Sequence, residues 1–133
     1  MAQSIKLNND LYWDSSGIKE KYQTGTLTGS VSSGNAQFVS GSYTRYGNII
    51  SVFVNFKTTA AIAEGGTVNG SISGLPTDVV SLNRTIGWLG ASAHIINVDP
   101  NNGSGTVFIR VIGGSTASGN TISGTMIGMC SSL

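Results

Sequence analysis

The chain has 133 residues, 39% of them apolar and only 10% charged, with 19 glycines, two prolines and a formal net charge of +1. That length gives one domain with a core of its own, and the apolar share with so little charge excludes a disordered tail. The seven Lys and Arg residues are scattered through the sequence, which argues against nucleic acid as a partner, and the single cysteine, Cys130, excludes an internal disulfide.

Residues 1–24 differ in texture from the rest of the chain, with Asp14, Lys19, Glu20 and Lys21 crowded beside Tyr12 and Trp13. Asn8-Asn9-Asp10 and Asp14-Ser15-Ser16-Gly17 are turn signals, so two short strands and a connector are expected here. Trp13 is read as a plug against the main body or a neighbouring subunit. From residue 24 to 39 the large apolar residues are Leu27, Val31, Phe38 and Val39. Thr-rich alternation before Gly34-Asn35 predicts an edge strand, a turn and entry into a hairpin.

That hairpin, residues 42–56 (SYTRYGNIISVFVNF), is the most strongly patterned stretch of the chain. A short strand through Tyr43 and Arg45 leads to a turn at Tyr46-Gly47-Asn48 and a long strand over residues 49–56. The two-residue period puts Ile50, Val52, Val54 and Phe56 on one face and Ile49, Ser51, Phe53 and Asn55 on the other. Residues 58–64 (TTAAIAE) are the one place for a single helical turn, before Gly65-Gly66 punctuates the chain.

Residues 67–72 form another strand, ended by Gly74-Leu75-Pro76, and residues 76–83 an extended connection. Residues 84–89 (RTIGWL) read as a strand with Ile86 and Trp88 on one side. In the next, residues 91–98, Ala91, Ala93, Ile95 and Asn97 alternate with Ser92, His94, Ile96 and Val98. Asp99-Pro100-Asn101-Asn102-Gly103 is the strongest turn signal and makes residues 106–112 the second arm of another hairpin. A Gly/Ser loop over residues 113–120 precedes the last strand, residues 121–129. Eight or nine short strands with turn residues between them predict an all-β chain, an antiparallel β-sandwich (jelly-roll-like) or small β-barrel.

The catalytic inventory is poor. With one histidine, any Ser-His-Asp or Cys-His arrangement must run through His94. Nucleophile elbow, P-loop and dinucleotide fingerprints are missing, and no Cys/His spacing suits zinc. Asp10, Asp14, Glu20, Glu64, Asp78 and Asp99 fall mostly in expected turns, where solvated capping is the plainer reading of a carboxylate. The chain is therefore read as a non-enzyme that needs no cofactor or metal. The start, MAQSIKLNNDLYW, lacks the apolar run of a secretory leader, and nothing approaches a membrane span, so neither secretion by a leader nor membrane insertion is expected.

His94 is expected to share a face with Ile96 and Val98, as a partly buried structural histidine. The sharper alternative is a polar handle at a ligand groove, because His94, Asn97 and Asp99 crowd within six residues near Trp88. An aromatic face with amide, carboxylate and imidazole groups is the mixture that sugar sites on β scaffolds use. Trp88, His94, Asn97 and Asp99 are accordingly the candidate saccharide site, with Tyr43, Arg45 and Tyr46 at most a rim.

Two segments carry a family resemblance. GSYTRYGNIISVFVNFKTT, followed at a distance by ISGLP, resembles a G-x-Y-x-(K/R)-x-G-N-x-(V/I) pattern in the head domains of bacteriophage tail fibre and receptor-binding proteins. The run from Arg84 through Val98 is similar to a region of the heads of lactococcal-type phages, and SIKLNNDLYWDSSGI looks like the start of short tail or baseplate proteins of phages infecting Gram-positive hosts. The resemblance covers roughly residues 40–128. It implies a β-sandwich head, residues 25–133, on an attachment or neck segment, residues 1–24. It further implies a homotrimer at the virion tail tip, made in the host bacterial cytoplasm, that binds cell-wall polysaccharide or a teichoic-acid-like glycan without cleaving it and contacts other phage tail or baseplate proteins. The alternative is a structural baseplate or fibre adaptor without saccharide binding. Heads of this kind use a His, an Asp two residues later and a Trp on the following strand. Here His94 matches, Ile96 stands at the Asp position, and the following strand offers Phe108, leaving Trp88, Asn97 and Asp99 to compensate.

Overall fold

A computed structural model describes residues 5–7, 11–14, 17–89 and 92–132, with side chains described for residues 22–87 and 93–132. The strands in chain order are β1 (Ile5–Leu7), β2 (Leu11–Asp14), β3 (Gly17–Ser33), β4 (Ala36–Tyr46), β5 (Ile49–Thr58), β6 (Thr67–Ser73), β7 (Val79–Leu82), β8 (Thr85–Leu89), β9 (Ser92–Asn101), β10 (Ser104–Ile112) and β11 (Thr121–Cys130). The fold is all-β and antiparallel, with no helix among the described residues. The main path runs β7-β11-β5-β4-β3-β6-β10-β9-β8, and β1 and β2 form a small ladder on the start of β3.

β3, β4 and β5 form a meander, and β6 returns to the free side of β3, which is the Greek-key arrangement. The sheet curls so that β11 comes to lie against β8 and β7 against β9. The two edge strands, β7 and β8, are consecutive in the chain and separated only by Asn83 and Arg84. The core lies between the two halves: Ile50, Val52, Val54 and Phe56 from β5, Val68 and Ile72 from β6, Ile96 and Val98 from β9, Val107, Ile109 and Val111 from β10, and Ile122 and Met126 from β11.

The first hairpin keeps its predicted faces. Ile50, Val52, Val54 and Phe56 are all fully buried, whereas Ile49 and Phe53 are exposed. Tyr46 pairs with Ile49 across a two-residue turn whose first member, Gly47, has φ 59°. A positive φ at the first position alone is the II′ pattern that suits the twist of a hairpin. The first arm is longer than expected, because β4 begins at Ala36.

Four expectations change. β3 is no edge strand: it sits between β4 and β6 and runs unbroken through residue 24, so the expected boundary falls inside a strand. Residues 58–64 make no helical turn. Their backbone bonds cross to the other loop at that end of the molecule, from Thr58 N to Asn120 O (2.8 Å) and from Ile62 N to Thr116 O (2.9 Å). The connection over residues 76–83 contains β7, paired with β11. The five-residue turn is in fact a two-residue one, Asn102-Gly103, with φ 49° and 89°, and Asp99-Pro100-Asn101 belong to β9. Both turn residues in the left-handed region make a I′ turn, for which Asn-Gly is the favoured pair. Trp13 and Trp88 side chains lie outside the described residues.

Candidate binding face

The Asn102-Gly103 turn sets the register of the second hairpin. It pairs Asn101 with Ser104 and, further along, Asn97 with Phe108, Ile95 with Arg110 and His94 with Val111. Because side chains alternate along a strand, His94, Ile96 and Val98 point into the core, and Ile95, Asn97 and Asp99 point outward.

His94 is 2% exposed. Its Nδ1 is buried without a hydrogen-bond partner, and burial holds its pKa below the ordinary 6.5. Gly87 stands opposite it on β8, and a Cβ there would come within 2.6 Å of His94 Nε2 and 2.9 Å of the Ser123 carbonyl of the facing half. His94 is therefore a packed interior side chain, and the structure does not bring it to one surface with Asn97 and Asp99. Trp88 stands in backbone register with Ala93. Of the expected rim, Tyr43 is buried and Arg45 fully buried, both on the inward face of β4, and Tyr46 alone is exposed.

The outward positions of β6, β10, β9 and β8 make up a different face. Asn69, Phe108 and Asn97 form one row across β6, β10 and β9, which Arg84, just before β8, extends. Thr67, Arg110, Ile95 and Ile86 form the next row, and Ser71, Thr106 and Asp99 the row on the other side. Arg84, Ile95, Asn97, Phe108 and Arg110 line an open depression of about 190 Å³. Towards β3 the face continues as hydroxyl ladders, Thr28 with Ser73 (2.8 Å) and Ser30 with Ser71 (3.3 Å), and Asn69 Nδ2 donates to Ser33 Oγ (3.1 Å).

Of the four expected site residues, Asn97 lines this depression and Asp99 lies one row away on the same face. Arg84, Ile95, Phe108 and Arg110 are not among the residues that the sequence pattern marks as a site. Their signal is strand parity: residues 107, 109 and 111 are Val, Ile and Val, so Phe108 and Arg110 have to face outward. The arrangement offers an apolar ring, an amide and two guanidinium groups in a shallow dish, which suits adsorption of a polar ligand with an apolar face. Among the described residues no three His, Cys, Asp or Glu side chains gather as metal ligands would.

No protein-family model matches the sequence, and no curated protein or solved structure is significantly similar to it.

Proposed function

We propose that this chain is the head of a phage tail receptor-binding protein that adsorbs to host cell-surface saccharide without cleaving it. The observation that carries the reading is the outward face of β6, β10, β9 and β8, where exposed Phe108 sits among amides and hydroxyls in cross-strand register. Sugars are held by rings against their C–H faces and by amides on their hydroxyls. Each such contact is weak on an open dish, and several copies on one particle supply avidity.

The other outer face supports association with further protein chains, as in a homotrimer. Tyr22, Tyr46, Ile49 and Met129 form one row across β3, β4, β5 and β11, with the Tyr22 and Tyr46 rings 4.9 Å apart. Ile127 lies in the next row and Phe53 in the one after it, and Tyr46, Ile49, Phe53, Ile127 and Met129 are all exposed. The outward positions of β4, β5 and β11 carry a single charge, Lys57. A sheet face with these large apolar side chains exposed among Ser and Thr, and so little charge, is the kind that a partner covers. It equally suits a second reading, a baseplate adaptor that holds other tail proteins and touches no sugar.

A glycan array separates the two. The wild-type chain is expected to retain a restricted set of bacterial envelope glycans, and Phe108→Ala to lose that binding by at least about tenfold with an unchanged melting temperature. Binding to tail proteins with no glycan retained would establish the adaptor. Light scattering on the same preparation should report three chains per particle, and a clean monomer at micromolar concentration would remove the trimer.

A further inference from the structure

Resting on the saccharide reading above, we infer that the depression on β8, β9 and β10 selects an anionic glycan, one whose sugars carry a carboxylate or a phosphate, through Arg84 and Arg110. Both arginines line the dish: Arg84 extends the row of Phe108 and Asn97, and Arg110 stands in the next row, paired with Ile95. Among the described residues neither has an ion-pair or hydrogen-bond partner. In a chain with seven Lys and Arg in all, two exposed guanidiniums without a partner among the described residues, in one shallow depression, are a local concentration of positive charge. The contrast with Arg45, whose guanidinium is fully paired and buried, is informative: the chain spends that arginine on its own fold and leaves these two to solvent.

Guanidinium groups match carboxylate and phosphate oxygens with paired N–H donors, and such charge-assisted bonds are about twice as strong as neutral ones. A neutral sugar would use the ring of Phe108 and the Asn97 amide and gain little from either arginine. Asp99 is on the same face one row beyond Asn97 and disfavours an anion placed there, which confines the charged group to the end of the dish where Arg84 and Arg110 stand. Two cations are too few for a nucleic-acid track, which needs a stripe of them along a groove.

The test uses the intact chain and immobilised polymers of known charge: polygalacturonate, its methyl ester in which the carboxylates are masked, poly(glycerol phosphate), and a single-stranded oligonucleotide. Retention of polygalacturonate or poly(glycerol phosphate) with loss on the methyl ester is expected, and the two anionic arms tell carboxylate from phosphate. Arg84→Gln and Arg110→Gln should each weaken retention about tenfold, the factor for losing one charge-assisted bond, with melting temperatures unchanged because both side chains are exposed. Raising salt from about 0.01 M to about 1 M shortens the screening length from about 30 Å to about 3 Å and should abolish binding. Equal retention of the methyl ester, indifference to salt, or unchanged binding by both variants overturns the inference. So does preferential retention of the oligonucleotide, and so does failure to bind either anionic polymer. Neutral glycans retained on the array in those cases would leave the saccharide reading standing without the anion.

Discussion

Asp78→Ala should destabilise the fold by about 3 kcal/mol, the lower end of the range for breaking a buried ion pair. Arg45 projects into the core from β4 and is 0% exposed, while the Asp78 side chain keeps 22% exposure, which is why the lower end applies. The guanidinium grips Asp78 with two parallel bonds, Nη1 to Oδ1 at 2.6 Å and Nη2 to Oδ2 at 2.8 Å, and its Nε donates to the Gly47 carbonyl at 2.8 Å. Nη2 also donates to the Ser132 carbonyl at 2.7 Å, and Ser132 Oγ bonds to Asp78 Oδ2. One arginine thus ties the turn of the first hairpin, the approach to β7 and the chain's last described residues. Removing Asp78 takes the carboxylate from a fully buried guanidinium, and most of the cost is the poorer compensation of that buried charge rather than the lost contact. Urea unfolding measures it, and the double variant Arg45→Met, Asp78→Leu should recover most of the loss, since an apolar pair of similar volume replaces a buried ion pair at little cost. A loss below about 1 kcal/mol for Asp78→Ala would mean that water reaches Arg45.

The same pair sets the acid limit. Hydrogen bonds from Arg45 hold the Asp78 carboxyl well below its ordinary 3.8. A depressed carboxylate contributes stability that is complete above 3.8 and is lost as pH falls below it towards the folded value, because the unfolded chain takes up the proton first. His94 acts higher. Its folded pKa lies below 6.5, so between 6.5 and that lower value the unfolded chain gains a proton that the folded one refuses, and stability falls. Above 6.5 both states are neutral and His94 adds no slope. Stability measured against pH should therefore fall in two stages, the upper one lost in His94→Gln and the lower one in Asp78→Asn.

The two-residue period of a strand decides how much of this was legible in the sequence. The inward row of β5 stood out because Ile50, Val52, Val54 and Phe56 are apolar at every second position while the other face is mixed. β3 was obscure for the opposite reason. Two of its inward positions are glycines, Gly25 and Gly29, whose space is filled by the rings of Tyr43 and Phe38, so a buried central strand carries little apolar sequence of its own. β7 is four residues long after a proline, and its pairing with β11 is irregular at Met129 and Cys130, which leaves no periodic signal. The candidate site was gathered by closeness in sequence. Parity separates His94 from Asn97 and Asp99, and only the true length of the second turn reveals that Asn97 faces Phe108. Five turn-forming residues in a row hid a two-residue turn. Arg45 was legible in principle: it shares the inward parity of Tyr43, and an inward arginine requires an acid, which the solvated reading of Asp78 passed over.

The larger effect is expected in the core, where Phe56→Ala should cost about 4 kcal/mol, within the range for emptying a fully buried aromatic site. Phe56 is 0% exposed, on the central face of β5, and pairs across the strands with Phe38 and Ile122. Its ring meets that of Phe38 edge to face, with centroids 5.4 Å apart and planes at 80°. Phe38 in turn lies over Gly29 of β3, where a Cβ would come within 2.6 Å of its ring, and close to Gly41. The two rings and these glycines form one block at the place where β3 passes from one half of the sheet to the other. Truncating Phe56 empties its own volume and removes the edge contact of Phe38, worth about 1 kcal/mol beyond area. Phe38 cannot move down to fill the space without leaving the glycine surface uncovered, so the cavity persists. Phe56→Leu keeps most of the volume and should cost less than half as much. Denaturant unfolding of both variants measures the difference, and a loss below about 2 kcal/mol for Phe56→Ala would show that Phe38 collapses into the hole. Because this block joins the half that carries the hydroxyl and arginine face to the half that carries the apolar face, its loosening should also weaken glycan retention, although neither phenylalanine lies in the dish.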